Sequence, residues 1–82
     1  MLSKSTEYAL RAVYWLAREH GAAVSADHLA EHTKIPRRYL HKILQDLVRA
    51  ELAHSQPGPG GGYSLARPAG QITILDVVNA VD

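Results

Sequence analysis

The segment from Pro36 to Arg67 constrains the fold of this chain most, because a helical pattern runs directly into a hairpin pattern. Apolar residues recur at helical spacing over about 36–50, and basic residues occupy the other side. A strand pattern follows, then the turn PGPGGG, then a second strand beginning GYSL, all within about 52–66. A helix followed by such a hairpin is the recognition half of a winged helix-turn-helix. The segment therefore predicts double-stranded DNA as the partner.

The residues before this segment predict two further helices. Ser3 or Ser5 caps a first helix that runs to about His20, where Gly21 ends it. Ser25 caps a second helix over 26–33, and a tight turn leads from it into the third helix, which begins with Pro36 at its first position. Helix, short turn and helix together match a helix-turn-helix.

The residues after the hairpin predict a short extended piece over 72–74 and a final apolar helix over 75–81. The fold class is thus expected to be mainly α with a small β-hairpin, a winged helix-turn-helix. All 82 residues are expected to form one such DNA-binding domain.

The charge of the chain is concentrated on one element. Residues 34–49 hold five basic side chains and one acidic one, a local charge of +4, so the other residues carry −3 of the total of +1. A basic face of this kind is what a phosphate backbone attracts. A solvated helix face that is basic for no functional reason is the alternative.

Five residues of the third helix are candidate DNA-binding residues. Arg37 and Arg38 can bind guanine O6 and N7 bidentately or clamp phosphates. His41 can reach a base edge, and Lys42 suits a phosphate. The ring of Tyr39 either packs in the core or places its hydroxyl on a phosphate.

The hairpin adds Gln56, Gly60 and Gly61 as candidates near the minor groove. Small residues at a hairpin tip let backbone N–H groups approach a phosphate. The glycine run is a turn and not a nucleotide-binding loop, because it ends Gly62-Tyr63 and lacks the Gly-Lys-Ser/Thr of a phosphate loop.

Enzyme chemistry has little support in the sequence. His28 to His32 spells H-x-x-E-H, an inverted zinc-protease signature, but such a site also needs a third ligand and a substrate cleft, and 82 residues leave little room for either. The chain has no cysteine, which removes thiolate metal sites and disulfides. We therefore expect no enzyme activity, no metal and no cofactor. We expect neither a signal peptide nor a membrane span. We expect the protein to lie in the bacterial cytoplasm.

The opening SKSTEYALRAVYWLA, the pattern I-P-x-x-Y-L-x-K-I-L and the wing PGPGGGYSLA together resemble the Rrf-two (Rrf2) family of bacterial winged-helix regulators, over essentially the whole chain. That family includes the iron–sulfur cluster regulator and the nitric-oxide-sensing repressor. The resemblance implies a transcription regulator that binds a pseudo-palindromic operator as a homodimer. It also implies that the helix from Pro36 enters the major groove, with His41 at a base-reading position.

Two features depart from the family pattern. Relatives often carry an arginine just before the wing glycines, where this chain has Gln56-Pro57. Many relatives continue with a dimerisation helix and three cysteines that hold an iron–sulfur cluster, and that dimerisation and sensing region is expected to be absent here. A winged-helix module that binds a protein partner, without DNA affinity of its own, is therefore the alternative function. The operator, the signal and the sense of regulation are left open.

Overall fold

The computed structural model describes residues 2–82, which form four α-helices and one antiparallel hairpin. The fold class predicted from the sequence, mainly α with a small β-hairpin, is confirmed. The elements follow the chain as α1 (Lys4–Arg18), α2 (Ala26–Thr33), α3 (Arg37–Arg49), β1 (Ala53–Gln56), β2 (Gly62–Leu65) and α4 (Ile74–Val81), with a 3₁₀ turn at Ala69–Gln71.

Serine side chains begin the first two helices. Ser3 Oγ accepts a hydrogen bond from Thr6 N, and Ser25 Oγ accepts one from His28 N, both at 3.1 Å. Each cap satisfies an N–H that the helix itself leaves without a partner, and its loss costs about 1 kcal/mol. The prediction for α2 is confirmed at both ends. Helix α1 ends at Arg18, two residues earlier than predicted, because His20 adopts a left-handed φ of 51°.

Helix α3 begins one residue later than predicted. Pro36 has φ −56° and ψ 136°, so its backbone is still extended. Its carbonyl accepts the first helical hydrogen bond, from Leu40 N at 2.9 Å, so Pro36 caps the helix from outside.

The predicted extended piece over 72–74 is confirmed at Ile72 and Thr73, whose backbones are extended, and is wrong at Ile74, which is already helical. Thr73 Oγ1 accepts a hydrogen bond from Asp76 N, and Asp76 Oδ2 accepts one from Thr73 N, both at 3.0 Å. This reciprocal capping box starts α4 at Ile74. The Thr73 N–H also lowers the pKa of the Asp76 carboxyl by stabilising its charged form.

The core lies where one side of α3 meets the other helices and the hairpin. Helix α3 contributes Leu40, Ile43, Leu44 and Leu47, each at most 3% exposed. Their spacing of three, one and three residues matches one face of a helix. The other buried apolar residues are Ala9, Ala12, Leu16, Val24, Leu29, Ile35, Leu52, Ala53 and Val77.

The hairpin is attached to the helical part through the segment before α2. Strands β1 and β2 pair antiparallel, with Gln56 opposite Gly62. Val24 and Tyr63 exchange two backbone hydrogen bonds of 2.8 Å. Gly62 permits this contact, because its φ is 141° and a Cβ there would lie 2.2 Å from the carbonyl oxygen of Val24. The position of the wing relative to α2 and α3 therefore depends on Gly62.

We predict that Gly62→Ala lowers the free energy of unfolding by about 1–3 kcal/mol, because the backbone must change φ and move away from Val24. Urea denaturation measures the change. Gly70→Ala is the matched control, because a Cβ at Gly70 meets no atom within 4 Å. Equal midpoints for the two variants would show that the Val24–Tyr63 contact does not hold the wing.

Candidate nucleic-acid interface

The side of α3 that faces away from the core carries an exposed polar stripe. Arg38, Lys42, Gln45 and Arg49 follow at spacings of four, three and four residues, which keeps them on one helix face. His41 is also exposed and lies beside this stripe. We call these five residues the α3 outer face. Gln45 was not among the DNA-binding residues predicted from the sequence.

A buried carboxylate organises two of the basic side chains. Asp46 is 7% exposed, and its two oxygens accept from Lys42 Nζ at 3.1 Å and from Arg49 Nη1 at 3.2 Å. The two cations are held over the helix surface, and their combined charge is partly compensated. The i, i+4 and i, i+3 spacings of these residues are the sequence signal that marks such a network.

The two adjacent arginines at the start of α3 have different environments. Arg37 forms an ion pair with Asp27 in the first turn of α2, and both side chains are largely exposed. Arg38 forms no ion pair with any residue from 2 to 82. Arg38 therefore retains its full charge on the α3 outer face, whereas the guanidinium of Arg37 is directed toward α2.

Tyr39 is not a core residue, which was one of the two interpretations of its position. Its side chain is 51% exposed, and its ring lies 5.8 Å from the ring of Tyr8 in α1. The aromatic pair supports the ring against α1 and leaves about half of the residue open to solvent.

The predicted wing residues lie at the end of the hairpin, but they differ in solvent exposure and hydrogen bonding. Gln56 and Gly60 are exposed, and Gly60 has a left-handed φ of 75°. Gly61 is half-buried, and its N–H donates to the carbonyl of Gly58 at 2.9 Å. Because the turn already uses that N–H, the expectation that Gly61 offers it to a phosphate is not supported.

A helix-turn-helix whose second helix leads into an anchored hairpin defines a winged helix-turn-helix protein. Residues 2–82 match the Rrf2 family, described as iron-dependent transcriptional regulator. The chain belongs to this family. It is thus a member of a family of transcription regulators and not of an enzyme family.

Individual relatives agree with this assignment. The chain is 43% identical over 77 residues to the putative HTH-type transcriptional regulator BadM of Rhodopseudomonas palustris, covering 94% of this chain and 49% of that protein. The structure of T. potens IscR has a TM-score of 0.91 at 30% identity, covering all of this chain and 61% of that one. CymR, the global cysteine regulator of B. subtilis, has a TM-score of 0.93 at 28% identity, covering all of this chain and 64% of that one.

The chain spans about half the length of the curated relatives that it matches. In the part of the chain that the structure describes, no helix is both long and apolar enough to cross a membrane.

The iron dependence in the family description has no matching ligand set within these residues. The chain contains no cysteine, and residues 2–82 bring no three His, Asp or Glu side chains together in a way that could hold a metal ion. The rings of His28 and His32 do lie against each other, with centroids 4.2 Å apart, but within residues 2–82 no third ligand joins them. The donor set therefore does not fit iron or an iron–sulfur cluster.

We predict that Asp46→Asn lowers the free energy of unfolding by about 1 kcal/mol at low salt, because both cations lose their partner. The deficit should shrink in high salt, which screens the same attraction. Urea denaturation at two salt concentrations measures both effects.

Glu31→Gln is the control, because it removes one exposed carboxylate that forms no ion pair within residues 2–82. If the Asp46→Asn variant has the same free energy of unfolding as the Glu31→Gln variant, the ion pairs of Asp46 do not organise α3.

Proposed function

We propose that this chain binds double-stranded DNA sequence-specifically, with α3 in the major groove and the hairpin near the minor groove. The observation that carries the proposal is the division of α3 into two sides. One side is wholly core, and the α3 outer face is exposed and basic. The major groove is about 12 Å wide and admits an α-helix in this orientation.

The environment of each side chain suggests its role in this complex. Arg38 has a planar guanidinium without a partner in residues 2–82, which suits bidentate binding to guanine. Gln45 lies in the middle of the same stripe and can bind adenine bidentately. His41 can donate to or accept from a base edge. Lys42 and Arg49, already oriented by Asp46, suit phosphates at the edges of the groove.

The wing is expected to contribute less than α3. Its exposed candidates, Gln56 and Gly60, carry no charge, so they do not release counterions from the duplex. A side-chain amide and a backbone N–H can still position the hairpin over the minor groove. The anchoring of β2 to Val24 limits how far the wing can move to do so.

We also propose that the regulator acts as a homodimer on a two-fold symmetric site in the bacterial cytoplasm. Ile74 and Leu75 at the start of α4 are each 65% exposed, so apolar surface is available for association. The same surface supports the alternative function, a module that binds a protein partner and has no DNA affinity. Selection of bound duplexes from a random pool separates the two functions, because only a DNA-binding module yields a consensus and a half-site spacing.

On the selected duplex, Arg38→Ala should cost about 1–3 kcal/mol of binding free energy and relax the preference at one base position. Arg37→Ala should cost less and leave the base preference intact, because Asp27 already holds the Arg37 guanidinium. Fluorescence anisotropy with matched and mismatched duplexes measures both quantities, and a thermal melt confirms that each variant folds.

Equal losses on every duplex for the two variants would mean that both arginines bind only phosphates. Failure of the unaltered protein to bind any duplex at low salt would leave the protein-binding module as the function.

A further inference from the structure

One face of α1 alternates cations with aromatic rings. Lys4, Tyr8, Arg11, Trp15 and Arg18 follow at spacings of four, three, four and three residues, which keeps them together on one side of the helix. Lys4 Nζ and the Arg11 guanidinium lie 5.6 and 5.5 Å from the centroid of the Tyr8 ring. The Arg18 guanidinium lies 5.0 Å from the Trp15 ring.

The N-terminal half of this face adjoins the start of α3. The ring of Tyr8 lies 5.8 Å from that of Tyr39, the residue after Arg38. Arg11 Nη1 donates to the carbonyl oxygen of Thr33, the last residue of α2, at 2.8 Å. We call Lys4, Tyr8, Arg11 and Tyr39 the α1 patch. It adjoins the α3 outer face at Tyr39, which directly follows Arg38 in the chain.

The cations of the α1 patch are not neutralised by ion pairs. All three ion pairs within residues 2–82 lie on α2 and α3 and involve Arg37, Lys42 and Arg49. Lys4 and Arg11 are held by an aromatic ring and a carbonyl oxygen instead, which orients them without cancelling their charge. Exposed Glu7 lies between them in sequence and is the one carboxylate of α1 before Arg18.

We propose that the α1 patch binds the sugar–phosphate backbone beside the groove that α3 occupies. The inference rests on the proposed function and extends the interface from α3 to α1. Charge complementarity supports a phosphate ligand, since two oriented cations and two tyrosine hydroxyls are grouped next to a helix assigned to the major groove. Pre-oriented side chains also lose less conformational entropy when a phosphate binds.

The C-terminal end of the same helix face supplies a matched control. Arg18 is exposed and lies over an aromatic ring, as Lys4 does, but it is about 21 Å further along the helix axis. A contact made at the start of α3 should involve Lys4 and not Arg18. If the cations acted only through the long-range electrostatic field of the protein, the loss of either charge would weaken duplex binding equally.

The test is the salt dependence of duplex binding by the 82-residue chain and its variants. Lys4→Gln should weaken binding to every duplex by a similar factor, keep the base preference, and reduce the log–log salt slope by about 0.9, the value for one phosphate contact. Arg18→Gln should leave the slope unchanged. Glu7→Gln should strengthen binding to all duplexes, because it removes the exposed carboxylate that lies between Lys4 and Arg11 on α1.

Tyr8→Phe tests the hydroxyl separately, because it keeps the ring against Tyr39. It should weaken binding to all duplexes and leave the melting temperature unchanged. An unchanged salt slope for Lys4→Gln, or an equal change for Arg18→Gln, would overturn the proposal that the α1 patch binds phosphate. The proposed function would still stand in that case if the unaltered protein binds its duplex. If the unaltered protein binds no duplex at low salt, the proposed function and this inference fail together.

Discussion

The burial of one side of α3 is the constraint on which the rest of the structure depends. Leu40, Ile43, Leu44 and Leu47 occupy the centre of the core, so the helix cannot rotate about its axis without exposing them. Burying each such side chain stabilises the fold by about 1.5–3 kcal/mol, which is large beside the net stability of a small domain. The opposite face is therefore presented to solvent in one fixed orientation. The basic residues of α3 are exposed together because the apolar side of the helix is held in the core.

The distribution of acidic side chains then distinguishes the cations of α3 from one another. Asp27 holds Arg37 and Asp46 holds Lys42 and Arg49, whereas Arg38 has no such partner within residues 2–82. A count of positive residues along α3 treats these side chains as equal. Their ion pairs make them unequal, and the proposed roles of Arg38 as a base reader and Lys42 and Arg49 as phosphate contacts follow from that difference.

Local signals in the sequence predicted most of the fold. Ser25 as a cap, the helical spacing of the leucines and the glycine–proline turn each depend on neighbours within a few residues, so the sequence displays them directly. The capping box of Thr73 and Asp76 is also local, and the final helix was predicted to begin one residue too late, at 75, because that motif was missed. The pairing of Arg37 with Asp27 was not predictable in this way, because the two residues lie on different helices. The contact between the rings of Tyr39 and Tyr8 was not predictable for the same reason, since only the packing of α1 against α3 brings the rings together.

The most direct test of the central claim is a backbone amide NMR titration of the chain with its selected duplex. The account predicts that the largest shift changes fall in α3 and at the wing around Gln56 and Gly60, with smaller ones at the N-terminal end of α1. Amides of α4 should change little, because its exposed Ile74 and Leu75 are assigned to protein association. Shift changes concentrated on α4, with α3 unaffected, would contradict the account.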